Sequence, residues 1–265
     1  MRDGGFPLDE RKNQVLSIIE ELGDITLTQL SSRIPGVSVM TLRRDLIQLE
    51  KEGYILRTRG GAVSLRKLGA AEGLNVPGEE NEYALRAREN MDAKNRIAEK
   101  ALPFVQRGTS IYLDAGSTIM CLAKRIPDET LSIITNGTNI AQTLVCNHRI
   151  TVMMPGGTVN RNTLSVSGPD SLSFVDKINI ELAFMSASAF SLEAGFSVSN
   201  IYEAELKHKI IMRAKRTIML MDSSKIGKNL LFTIAALADI DILLCEKTPS
   251  AEILEAARQN GVEIL

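Results

Sequence analysis

The stretch GVSVMTLRRDLIQLEKEG, residues 36–53, limits what this chain can build more than any other. Ser38 is placed to cap a helix by accepting a backbone N–H. Val39, Leu42, Leu46 and Leu49 then recur at the spacing of one helical face, so that face is expected to pack inward. Met40, Thr41, Arg43, Arg44 and Gln48 fall on the outer side, in the turns where a major-groove helix presents its base-reading and phosphate-contacting groups. Glu50, Glu52 and Gly53 end the segment, with Gly53 available as the left-handed residue past the last turn. An isolated arginine pair such as Arg43-Arg44 is more often an ordinary solvated helix face, so the flanking segments decide the reading.

Upstream, Val15, Leu16, Ile18, Ile19 and Leu22 form the stripe of an amphipathic helix that begins near Leu8 and ends at Gly23. Thr26 is placed to cap a short second helix, LTQLSSRI, with Leu27, Leu30 and Ile34 facing in, and Pro35-Gly36 turns the chain toward Ser38. Helix, short helix, turn and helix make a helix-turn-helix unit. Downstream, Tyr54–Arg57 and Ala62–Leu65 flank Thr58-Arg59-Gly60-Gly61, which predicts two strands meeting at a glycine turn. That hairpin carries Arg57 and Arg59 and reads as a wing placed against backbone phosphates.

The run VSVMTLRRDLIQLEKEGYILRTRGGA resembles the DNA-binding motif of the DeoR family of bacterial transcription regulators. It is long and specific. Arg59 stands where that family commonly has a histidine before the two glycines, and the charge is kept. The resemblance implies DNA contacts by Ser38, Met40, Thr41, Arg43, Arg44, Gln48, Arg57 and Arg59, with double-stranded operator DNA as partner.

With 265 residues the chain is long enough for two domains, and 44% hydrophobic with 24% charged residues is an ordinary balance for a globular protein. A formal charge of −1 does not point to nucleic acid. Residues 33–66, however, carry seven arginines and lysines against three acidic residues, so a near-neutral whole contains a basic reading face. Cys121, Cys146 and Cys245 lack paired spacing, which predicts reduced, buried thiols and no metal site. No membrane span and no signal peptide is apparent, so a cytoplasmic location is expected.

Residues 1–66 are therefore read as a winged helix-turn-helix domain, 67–82, rich in Gly, Glu and Asn, as a linker, and 83–265 as an α/β domain. A helical pattern runs from Tyr83 to Gln106 with Ile97, Ala98, Ala101, Leu102 and Val105 as its buried set. Arg86, Arg88 and Lys94 on it are expected to be solvated for the most part. Beyond Thr109 the apolar runs SIYLDAG, LSIITNG, ITVMMPGG, ELAFMSAS, TIMLMDSS and DILLCE alternate with helix-like segments, which calls for a mostly parallel sheet covered on both faces. Ligands of such sheets gather at the carboxyl ends of the strands. There Asp114-Ala115-Gly116-Ser117-Thr118 opens a helix, a fitting place for an oxyanion. Thr135-Asn136-Gly137-Thr138 repeats the arrangement, Pro155-Gly156-Gly157 lets backbone approach a ligand, and Asp222-Ser223-Ser224-Lys225 adds a cation. Glu203 and Lys207, one turn apart, either reach ligand hydroxyls or pair with each other. Together these donors suit a small polyhydroxylated anion such as a sugar phosphate.

The same segments, with SVSG at Ser165–Gly168 and EAELK at Glu203–Lys207, resemble the C-terminal sensor domain of the DeoR family, which is similar in fold to ribose-5-phosphate isomerase. That likeness implies phosphate binding by Gly116, Ser117, Thr118 and Lys225, and sugar contacts by Asp114, Asn136, Gly156, Gly157, Glu203 and Lys207. Ser188-Ala189-Phe190 departs from the family, which usually has a glycine after the serine. The function so implied is a transcription regulator, a repressor of a carbohydrate operon, controlled by a phosphorylated sugar, needing no cofactor and working as a homodimer or homotetramer. Two alternatives are a sugar-phosphate isomerase-like enzyme with an accessory head, and an architectural DNA binder. Against the enzyme, His148 and His208 are the only histidines and no nucleophile–base–carboxylate set is visible.

Overall fold

The computed structural model describes residues 10–51, 54–58, 60–64 and 83–265. The expectations for Glu52, Gly53, Arg59, Leu65, Arg66, the linker and the start of the first helix fall outside them. The chain divides into two compact units, Met1–Val76 and Pro77–Leu265.

In the first unit α1 (Glu10–Leu22) is followed by β1 (Asp24–Thr26), α2 (Leu27–Arg33), α3 (Val39–Lys51), β2 (Ile55–Thr58) and β3 (Gly61–Ser64). Thr26 closes α2 with a capping box: its Oγ1 accepts from Gln29 N at 3.3 Å while Gln29 Oε1 accepts from Thr26 N at 2.9 Å. Ser38 Oγ accepts from Thr41 N at 3.2 Å at the start of α3. Val15, Ile19, Leu30, Ile34, Leu42, Leu46, Leu49 and Ile55 build one core, with Leu27 packed at its margin. Two residues read as inward are not. Val39 is 46% exposed and Leu22 37%, because the helical row through Leu42, Leu46 and Leu49 already fills the space over α1 and α2. The hairpin of β2 and β3 gains a third strand that the sequence pattern hides, β1, which is too short for alternation and pairs antiparallel with β3. That pairing explains the second wing glycine: a Cβ at Gly61 would lie 1.9 Å from Ile25 O.

The second unit starts with α4 (Tyr83–Arg88) and α5 (Met91–Ala101), then a 3-10 turn at Leu102–Phe104. The single helical pattern expected from Tyr83 to Gln106 is thus broken, with Asn90 at φ 52° in the left-handed region. In chain order there follow β4 (Ser110–Leu113), α6 (Ser117–Ala123), β5 (Leu131–Thr135), α7 (Thr138–Leu144), β6 (Ile150–Met153), β7 (Thr158–Asn160), β8 (Ser165–Ser167) and α8 (Pro169–Val175). The chain continues through β9 (Leu182–Met185), β10 (Ala189–Ser191), β11 (Gly195–Val198), α9 (Ile201–Arg213), β12 (Thr217–Leu220), β13 (Phe232–Ala235), β14 (Ile242–Leu244), α10 (Ala251–Gln259) and β15 (Glu263–Ile264).

The main sheet has the order β15-β14-β12-β9-β4-β5-β6, and every pairing in it is parallel. Its faces follow the period of two. Ile111, Leu113, Phe184, Ile218 and Leu220 pack with Ile97, Ala98 and Leu122 on one side. Tyr112, Ala183, Met185 and Met219 pack with Leu206, Ile210 and Ile253 on the other. Burial on both faces is why these strands read as unbroken apolar runs. Two smaller antiparallel sheets, β7-β8 and β10-β11-β13, lie outside this pattern.

Candidate functional site

Two sets of side chains stand out, one in each unit. In the first, α3 carries Met40, Arg43, Arg44 and Gln48 exposed on its outer surface, with Met40 64% exposed and Thr41 half-buried. Thr41 Oγ1 and Ser38 Oγ bond each other at 2.9 Å, so both hydroxyls are engaged in the cap. Arg57 is held by α3: its N donates to Glu50 Oε1 at 2.9 Å and its Nη1 lies 3.6 Å from Glu50 Oε2. The acidic residue between the arginines and Leu46 does not offset their charge at the surface. Asp45 is buried and takes two bonds from Arg11, 2.8 Å from Nε and 3.1 Å from Nη2, which ties α1 to α3.

In the second unit, the carboxyl ends of β4, β5, β9 and β12 converge. Asp114 is fully buried; its Oδ2 accepts from Lys207 Nζ, from Ser186 N at 3.0 Å and from Ser186 Oγ at 2.6 Å. Lys207 also donates to Ser186 O at 3.0 Å. Asp114 Oδ1 and Thr118 Oγ1 are buried with no hydrogen-bond partner. Gly116 sits against the same serine, since a Cβ there would be 2.3 Å from Ser186 Oγ. Asn136 locks the neighbouring turn: Oδ1 accepts from Ala115 N at 3.1 Å and Nδ2 donates to Val166 O at 3.3 Å. Lys225 Nζ donates to Ala187 O at 2.8 Å, one residue beyond Ser186.

Glu203 and Lys207 do not pair with each other. Glu203 is buried, with Oε1 accepting from Thr163 Oγ1 and Ser165 Oγ, each at 2.5 Å. Tyr112 links the two clusters electrostatically: burial first, then the Asp114 and Glu203 carboxylates, push its phenol well above the ordinary range. Gly156 and Gly157 lie immediately before β7. Gly156 O accepts from Ser171 Oγ at 2.6 Å, and a Cβ at Gly157 would meet Ser167 O at 2.5 Å.

Sequence reasoning missed Ser186, Thr163, Tyr112 and Lys94. Ser186 has the signal that marked Asp114, a small polar residue at the end of an apolar run; Thr163 does not. Lys94 has none. It is buried, its Nζ donates to Arg86 O and to Glu89 O, at 2.5 Å in the latter case, and burial lowers its pKa. Cys146 is exposed, against the expectation of three buried thiols. A cleft of about 460 Å3 opens at the ends of β12 and β14, lined by residues that include Asn90, Arg96, Asp222, Ser223, Glu246 and Lys247; none of the ten expected effector residues lines it. Among the described residues no metal-binding cluster is present, and no helix is long and apolar enough to cross a membrane.

Residues 11–67 match the family model of the DeoR-like helix-turn-helix domain, and residues 89–247 that of the DeoR C terminal sensor domain. The chain is 30% identical over 257 residues to the HTH-type transcriptional regulator GlpR of Haloferax volcanii, covering 97% of this chain and 96% of that one. It is 32% identical over 260 residues to GolR of Listeria innocua, with 98% of both covered. The putative aga operon transcriptional repressor of Escherichia coli O157:H7 is 30% identical over 97% of this chain and 93% of its own length. Among solved structures, ribose 5-phosphate isomerase A of Methanocaldococcus jannaschii is similar at a TM-score of 0.39, with 18% identity over 53% of this chain and 56% of that one.

Proposed function

The chain belongs to the DeoR family of transcriptional regulators, and on that footing we propose that it represses a carbohydrate operon and releases operator DNA when a phosphorylated sugar binds. It is a DNA-binding regulator and not an enzyme, as the named relatives are. One of them is named a repressor of an operon, which supports repression here. In this reading residues 1–66 bind DNA, 67–82 link, and 83–265 sense. The protein acts in the cytoplasm as a homo-oligomer, because paired heads read paired half-sites.

The observation that supports the effector most directly is the buried, unpartnered pair of Asp114 Oδ1 and Thr118 Oγ1. Buried polar atoms are rarely left unpaired unless something else satisfies them. A sugar hydroxyl donating to Asp114 and a phosphate oxygen accepting from Thr118 would do so. Lys207 donates to Asp114 Oδ2, leaving Oδ1 to the ligand, and Lys225 lies nearby. Release follows by linkage: if effector and operator favour different arrangements of the heads, each weakens the other by the same factor, typically about 1–3 kcal/mol.

Thermal unfolding of the full chain with a panel of sugar phosphates, the parent sugars and inorganic phosphate tests this. At least one sugar phosphate should raise the melting temperature by mass action, and Thr118→Val should remove the shift. No response across the panel, or equal response from parent sugars, rejects a phosphorylated effector.

A further inference from the structure

The exposed Val39 has company. Val39, Arg43 and Ile47 lie four residues apart, on one row of α3, and the two apolar members are 46% and 49% exposed. This row forms one wall of a groove of about 730 Å3, whose other walls are the start of α2, with Thr28 and Ser31, and the wing, with Arg57. The groove's described lining has two arginines and several hydroxyls and no acidic residue, although Arg57 is paired with Glu50, which does not line it. Leu46, on its floor, belongs to the head's core, so the groove is fixed by packing that exists without a ligand.

We propose that Val39 and Ile47 are specificity determinants that read thymine methyl groups on either side of a guanine held by Arg43, while the α2 hydroxyls and Arg57 hold the phosphates of the strand in the groove. This rests on the DNA-binding reading above and deepens it. Apolar side chains at a polyanion-binding surface gain nothing from phosphates; the apolar group that a major groove offers is the thymine C5 methyl, and arginine's preferred base is guanine. Eight residues of helix separate Val39 from Ile47 by about 12 Å. At about 3.4 Å per base step the two thymines fall three to four steps apart. The absence of carboxylates among the described lining residues favours a nucleic-acid occupant over a basic protein surface.

The test starts by enriching a duplex from a random library with the full-length protein. Each thymine of the winner is then replaced by deoxyuridine, which removes only the methyl, and affinity is measured for wild type, Val39→Ala and Ile47→Ala. We expect two deoxyuridine positions to weaken wild-type binding by about fourfold each, the value of one buried methyl. Val39→Ala should abolish one penalty and Ile47→Ala the other. Ser31→Ala should weaken every duplex alike. Both apolar positions are half-exposed, so the variants should melt like wild type, and melting is measured alongside. Unchanged penalties in both variants, or a winner with no thymine at that spacing, overturn the proposal while leaving DNA binding intact. Failure to enrich any duplex instead strikes at the DNA-binding reading. Loss of oligomeric state in Val39→Ala and Ile47→Ala by light scattering overturns the proposal in favour of a surface between copies of the chain.

Discussion

Asp114 and Lys207 are the two residues whose removal should be most costly. Both are almost wholly buried, and each is the other's counter-ion. Lys207→Met leaves a carboxylate with only the two Ser186 donors, and breaking a buried pair costs about 3–5 kcal/mol. Urea denaturation should show that loss, while the double variant Asp114→Asn with Lys207→Met should lose clearly less than the sum of the singles, since the uncompensated charge disappears. In the head, Arg43→Ala and Arg44→Ala should each weaken operator binding while leaving the sugar-phosphate response unchanged; both side chains are exposed and outside the core. Titration of one protein sample with each ligand decides this, and a parallel loss of both activities would point to misfolding. Residue types made the place of Asp114, Gly116, Asn136 and Lys225 just beyond the ends of β4, β5 and β12 legible in the sequence. Ser186 stands at the end of an apolar run as Asp114 does, yet nothing local says which of the small polar residues there turns inward, and the partners of Ser186 and Thr163 lie 72 and 40 residues away. Lys94 was misread for the opposite reason: a lysine on a helix face looks solvated, and only the carbonyls of Arg86 and Glu89 around its amine make it an interior group.

At the scale of elements, the wing is where backbone geometry leaves least freedom. Gly61→Ala would drive a Cβ into Ile25 O of β1, whereas Gly60 has open space around the same position. Melting of the two variants should therefore differ: Gly61→Ala should destabilise the head by more than 1 kcal/mol, through displaced backbone, roughly the range of severe local strain, and Gly60→Ala should change little. Long periodic elements were read correctly from the sequence, namely α3, α9, α10 and six of the seven main-sheet strands. The sequence pattern does not reveal β1, β7, β8, β10, β11, β13 and β15, all two to four residues long, or the seven-residue α8, stretches too short or too polar for a period to register. The split of α4 from α5 was equally hidden, because Asn90 adopts its left-handed turn while giving Nδ2 to Asp222 Oδ1 at 3.1 Å and Ser224 Oγ at 3.0 Å, contacts made more than 130 residues away.

For the whole molecule, charge is separated along the chain more than its sum suggests. A total near neutrality coexists with a head whose exposed reading face is arginine-rich, as Asp45 is buried against Arg11. Operator affinity should consequently fall steeply with salt, because the arginines displace counterions from the phosphates and added salt opposes that release, whereas sugar-phosphate affinity, which in the proposed reading rests on a few buried groups, should change far less. Anisotropy and calorimetry over the same salt series would expose the contrast, and a flat response for DNA would contradict phosphate contacts by Arg43, Arg44 and Arg57.

Thr26 closes β1 and caps α2 in the same residue, and β1 is stitched to the wing through β3. The described wing strands and α2 are consequently tied together through backbone, β2 to β3, β3 to β1 and β1 directly into α2. On the proposed reading, a signal that weakens such a head's hold on its target does so through where the heads are held and not by reshaping each head itself.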